Sequence, residues 1–189
     1  MLKLIGHHAC KNTGNHLYLE KIGLPVALSS YDPTNERNPF LGTGYYFWDY
    51  NKEMAKWWGK KQYGNNYYIF EAEIPYNQDI VLDLVGNRQH MEWLIEMMNL
   101  FIEEDENYKY WSIGQFIEYL KHISQEDEYQ GIFPYQIIRA IDHSAEDTNK
   151  IYDFYPNSKE YIMLNPRIII CAINANKDTV LSFKLIEKR

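Results

Sequence analysis

The chain has 189 residues, 46% of them hydrophobic, which is the size and apolar content of one domain with an ordinary core. A formal net charge of −7 excludes a protein that holds nucleic acid by broad phosphate neutralisation, because that mode needs clustered Lys and Arg. Two cysteines, Cys10 and Cys171, are too few for a disulfide framework or a metal cluster, and both read as buried thiols in apolar strands.

Taken in chain order, Leu2 to Ile5 is apolar enough for a buried strand, and Asn12 to Ile22 has a helical pattern that stops at Gly23. Leu28 to Asn38 is rich in Ser, Asn, Asp and Pro and is expected to be a loop. Tyr45 to Asp49 forms an aromatic strand, and Asn51 to Lys61 a helix with Met54, Ala55 and Trp58 on its inner face. The lysines of that helix, Lys52, Lys56 and Lys60 with Lys61, form either a solvated face or a local guide for a phosphate backbone. Tyr67 to Ile74 and Ile80 to Leu84 read as strands by their aromatic and β-branched content. Apolar spacings of three and four between Arg88 and Ile141 predict an insert of two or three helices, with the acidic run Glu103 to Glu106 at a solvated helix end. Tyr161 to Ile173 returns to strand, and Val180 to Ile186 closes the domain as another. No run approaches the ~20 apolar residues needed to cross a bilayer, and the first residues turn polar too soon for a signal peptide, so a cytoplasmic protein without membrane association is expected.

Three segments carry the chemistry. Leu2-Lys3-Leu4-Ile5-Gly6-His7-His8-Ala9 is a strand ending in His and a small residue. Phe40-Leu41-Gly42-Thr43-Gly44-Tyr45-Tyr46-Phe47 joins a glycine turn to aromatics, and Trp57 follows Tyr46 by eleven positions. Lys159-Glu160-Tyr161-Ile162 opens a late strand. In this order they resemble the His-Tyr-Glu class of ADP-ribosyltransferases, which includes diphtheria-type toxins and poly-ADP-ribose polymerases. The matching segments, roughly residues 2–10, 40–58 and 158–173, cover about a fifth of the chain.

That resemblance implies an α+β fold: a single catalytic domain over residues 1–189, an ADP-ribosyltransferase-like split β-sandwich of two mostly antiparallel sheets around a cleft, with the helical insert at about 88–141. It implies NAD as co-substrate and no metal. Cleaving nicotinamide from its ribose develops positive charge on the sugar, as in glycoside hydrolysis, so a site needs aromatic walls and one carboxylate. Tyr46 and Trp57 would sandwich the nicotinamide, Trp57 standing where the family usually has Tyr. Glu160 would hold the ribose 2′-hydroxyl and face the forming cation. His8 would bind the adenosine-side ribose, with His7 as the other register. Ala9, in the family's usual Gly position, would offer its backbone to the nicotinamide amide. Gly42 and Gly44 would allow positive φ and a close approach of NAD, and Cys10 stands near enough to line the site.

The implied reaction is mono-ADP-ribosylation of a macromolecular acceptor, protein or nucleic acid (RNA or DNA). Ser158 replaces the second Glu of arginine-modifying relatives and argues against an arginine acceptor. Small stand-alone members of this kind suggest a toxin of a toxin–antitoxin or phage-defence system, with an antitoxin as partner. Two alternatives stay open: an inactive NAD- or ADP-ribose-binding module, and an NAD glycohydrolase.

Overall fold

A computed structural model describes residues 2–35, 37–142, 151–153, 161–163 and 166–189. Two long strands form its spine. Leu2–Lys11 (β1) is paired from end to end with Tyr67–Tyr76 (β3), Leu2 opposite Tyr76 and Lys11 opposite Tyr67, and Ser182–Lys188 (β9) lies along the far side of β3. Tyr45–Asp49 (β2) follows β1 on the other side, then Ile168–Ala172 (β8), Ile137–Ile141 (β5) and the short Val81–Asp83 (β4). All neighbours are antiparallel except β4 and β5. Ile151–Asp153 (β6) and Tyr161–Met163 (β7) pair with each other in a separate two-stranded sheet.

Among the described residues four α-helices complete a mixed α/β architecture: His16–Ile22 (α1), Lys52–Tyr63 (α2), Arg88–Glu104 (α3) and Ile113–Ile123 (α4). Local chemistry sets their ends. The Asn51 side chain accepts from the Met54 N–H at the start of α2, and Ser112 with Gln115 forms a capping box on α4. The two-residue period of the strands sorts their side chains onto two faces. Ala9, Trp48, Ile69 and Cys171 pack with Ala55, Leu94, Phe101 and Ile117 from α2, α3 and α4. Cys10, Phe47, Phe70 and Ile170 pack with Leu19 of α1 and Phe183 of β9 on the opposite face.

Three expectations change. The helical insert ends at Ile123 apart from a 3-10 turn at Asp127–Tyr129, and Ile137–Ile141, inside the range assigned to it, is a central strand whose apolar run suits burial on both faces. The continuous strand expected from 161 to 173 is divided between β7 and β8, which belong to different sheets. The main strands also form one hydrogen-bonded seven-stranded sheet, where two sheets were expected, but its two halves meet narrowly. β1 and β2 pair only at Gly6 with Asp49 and His7 with Trp48. Gly6 belongs at this pinch because a Cβ there would stand 2.8 Å from the Phe47 Cβ and 2.9 Å from the Ile74 Cδ1.

A buried polar cluster ties β2, β4 and β5 together. Arg139 on β5 donates through Nε and Nη2 to the Asp49 carboxylate, both at 2.7 Å, and through Nη1 to Asp83 at 3.1 Å. Asp83 also accepts from the Tyr76 hydroxyl (2.8 Å) and from the Val85 and Gly86 N–H groups. Burial pushes the Asp83 carboxyl up, and these donors together outweigh it and leave its pKa below the ordinary value. No helix among the described residues is long and apolar enough to cross a membrane.

Candidate functional site

Where β1 and β2 part, the backbone of the sheet is left open. The Tyr50 N–H donates to the Ile5 carbonyl at 2.7 Å, which turns the peptide groups of Ile5, and by alternation those of His7 and Ala9, toward β2. The ladder stops at His7 with Trp48, so the N–H and C=O of Ala9 face a gap that β2 does not fill. On the other side of the gap the Tyr46 carbonyl takes a side-chain donor in place of a strand partner. His8 Nδ1 lies 2.8 Å from it. A carbonyl only accepts, so Nδ1 carries the proton and Nε2 presents a lone pair. That Nε2 is buried and has no hydrogen-bond partner among the described residues. The ring is wedged between Phe47 and Phe183, with centroids 5.4 and 5.9 Å away. Burial lowers the His8 pKa against the opposing effect of the Tyr46 bond, so the imidazole is neutral at pH 7.

This gap is the floor of a cleft of about 550 Å³. His8, Ala9, Tyr46 and Trp48 line it from the strands, Trp58 and Tyr63 from α2, the loop from Ala27 to Phe40 from a second side, and Asp142 with Arg167 from a third. The volume suits a small-molecule or nucleotide site, and the walls combine aromatic rings with polar and charged groups, among them Ser29, Arg37, Asn38 and Gln62. The Arg167 guanidinium pairs with Asp142 and lies 5.5 Å from the Trp48 ring and 5.3 Å from the Trp57 ring.

The structure brings His8, Ala9 and Tyr46 to one cleft. It does not bring Trp57 there. Trp57 is turned to the outside of α2, edge-on to Trp48 at 6.5 Å, and its neighbour Trp58 forms the wall instead. One position on a helix is a turn of about 100°, so assigning the wall by counting from Tyr46 was exposed to this error. Gly44 is also displaced from its expected role. It lacks a positive φ, and a Cβ would meet Cys171 Sγ at 2.3 Å and the Ala172 carbonyl at 2.8 Å, so its smallness serves packing on β8. Gly42 does adopt φ 77°. Cys10 is not among the lining residues, and burial pushes its thiol up to about 11. His7 points to the face opposite His8, with Nε2 3.5 Å from Glu71. Glu160 lies outside the described residues.

The glycine turn itself is closed to ligands. Leu41 N–H donates to the Tyr46 hydroxyl (2.9 Å), Gly42 N–H to the Pro39 carbonyl (2.9 Å), Thr43 N–H to the Glu118 carboxylate, and Gly44 N–H to the Ser29 carbonyl (3.0 Å). The Tyr46 hydroxyl in turn donates to the Gly42 carbonyl at 2.6 Å. Tyr46 is therefore a wall whose hydroxyl holds the turn. Arg37, Asp142 and Arg167 carried no motif signal, while Trp58 was expected only on the inner face of its helix. Trp48 had a signal: it shares a strand face with Tyr46 by the period of two.

The pKa shifts make a testable statement about stability. His7, His8 and His90 all have pKa values lowered by burial, so each binds a proton less readily folded than unfolded. Their stabilisation is complete above the ordinary histidine value of about 6.5 and drains away as pH falls below it, at about 1.4 kcal/mol for each unit of separation. Urea unfolding at pH 5.5 should therefore show a lower midpoint than at pH 7.5, with His8→Asn reducing the difference. Equal midpoints would refute the burial of neutral imidazoles.

Fold and cleft together define a mixed α/β domain with a nucleotide-sized site at the pinch of its sheet. No family model matches the chain, no curated protein is significantly similar to it, and no solved structure resembles it significantly.

Proposed function

We propose that this domain is an NAD-dependent mono-ADP-ribosyltransferase with a split β-sandwich fold, acting on a macromolecular acceptor. The observation that carries the reading is the gap between β1 and β2, where a buried His8 Nε2 with no hydrogen-bond partner among the described residues and the peptide of Ala9, beyond the end of the β1–β2 ladder, meet at one aromatic cleft. Those are the two kinds of group that a ribosyl nicotinamide needs: an acceptor for a ribose hydroxyl, and a donor and acceptor pair for a carboxamide. NAD supplies a glycosidic bond whose leaving group departs as neutral nicotinamide, the acceptor's proton being released as its nucleophile bonds to the sugar. The Ala9 N–H and C=O would fix the carboxamide, and Tyr46 with Trp58 would wall the ring, Trp58 taking the place expected of Trp57. His8 Nε2 would accept from a ribose hydroxyl. Glu160 would hold the 2′-hydroxyl and stabilise the cation forming at the sugar. A toxin-like role in a toxin–antitoxin or phage-defence system, with an antitoxin partner and a cytoplasmic target, belongs to the same proposal by analogy.

Incubating the full chain with NAD labelled in its adenylate half and a bacterial lysate tests this directly. Label should pass to material destroyed by either protease or nuclease, and the sensitivity identifies the acceptor. Free nicotinamide with no labelled acceptor would convert the reading to an NAD glycohydrolase. NAD binding without nicotinamide release would leave a binding module.

A further inference from the structure

We propose that the mouth of this cleft binds single-stranded nucleic acid, the acceptor class for the transfer proposed above, on which this inference rests. Two large exposed rings stand at that mouth, Phe40 and Trp58, each 38% exposed, and a third, Trp57, 41% exposed, lies outside the cleft beside Arg167. Phe40 and Trp58 line the cleft from the loop and from α2. Cations alternate with them. Arg37 and Arg167 line the same cleft, and Trp57 carries the Lys61 ammonium 5.0 Å and the Arg167 guanidinium 5.3 Å from its ring. Exposed rings interleaved with cations are what a single strand requires, since every base offers a face to stack and every link a phosphate.

The surrounding carboxylates narrow the cationic track. Glu187 holds Lys52 and Lys56, Glu53 also holds Lys56, and Asp142 holds Arg167. Lys61 and Arg37 have no carboxylate partner among the described residues, so the phosphate contacts centre on these two. On a chain of net charge −7 the footprint must then be short and set by stacking more than by charge. An acidic peptide would use the same cations but has no need of exposed rings. A duplex would hide its bases from them.

Fluorescence anisotropy of the full chain without NAD, using labelled single-stranded RNA and DNA of about twelve nucleotides, tests this. The expected result is single-strand binding in preference to a duplex, with a log–log salt slope of about −1.4, or about two phosphates. Trp58→Ala should weaken it about tenfold or more and Trp58→Phe restore most of the loss. Lys61→Gln and Arg37→Gln should each shallow the slope by about 0.7. The stronger of the RNA and DNA arms assigns the sugar. Absence of binding at about 100 μM in low salt, or a salt slope unchanged in both charge variants, overturns the proposal. Should Trp58→Ala not fold, the slopes of the charge variants decide alone. Transfer of label to protein without oligonucleotide binding would sink this inference and keep the transferase. Oligonucleotide binding that depends on these residues in a chain that never cleaves NAD would do the reverse.

Discussion

Arg139→Met should cost about 3–5 kcal/mol of folding stability. The reason is that the guanidinium answers two carboxylates, Asp49 and Asp83, whose side chains are 9% and 3% exposed. Removing it leaves two buried charges facing each other with only neutral donors around Asp83. The loss comes from that uncompensated burial, so Arg139→Met combined with Asp49→Asn and Asp83→Asn should recover a large part of it. Urea denaturation of the single and triple variants measures both. A single variant within about 1 kcal/mol of the parent would mean that water reaches the cluster.

Glu160→Gln should lower ADP-ribose transfer roughly a hundredfold or more while leaving NAD affinity nearly intact. In the ground state the nicotinamide carries the positive charge and the sugar little of it. As the glycosidic bond breaks, that charge moves to the ribose, and a carboxylate near the 2′-hydroxyl gains most of its interaction energy only then. Gln keeps the volume and one hydrogen bond but not the charge, so the transition state suffers and binding does not. Single-turnover transfer beside NAD titration separates the two quantities. Unchanged turnover would remove Glu160 from the mechanism and the transferase reading with it.

Much of the frame was legible in residue pattern. β3 and α2 are found within a few residues of where the sequence put them: β3 is buried on both faces, but its Tyr, Ile and Phe content marks a strand, and the apolar spacing of Met54, Ala55 and Trp58 marks α2. β5 was lost among helices because Ile137-Ile138-Arg139-Ala140-Ile141 carries apolar residues on both faces and so has no period of two, and Arg139 is a buried bridge rather than a solvent-facing residue. Of the residues expected at the site, His8, Ala9 and Tyr46 share the cleft, because strand register places them side by side at the parting of β1 and β2. Trp57 failed because stacking was assigned by a residue count across a strand-to-helix junction, where one position changes the face. Arg167 and Arg37 enter through tertiary folding alone, and a lone arginine beside proline or asparagine has nothing local to mark it.

The closed amides of the Gly42–Gly44 turn have a consequence for how such chains diverge. With the Thr43 N–H held by Glu118, and Lys121 joining Glu118 at 2.7 Å, the turn is a joint between the sheet and α4. A descendant that gave up its substrate altogether would still need Gly42, Gly44, Tyr46 and Glu118 to fold. Survival of that segment in another chain would therefore report shared ancestry of the scaffold, whereas an activity inherited with it would have to be read from His8, Ala9 and Glu160.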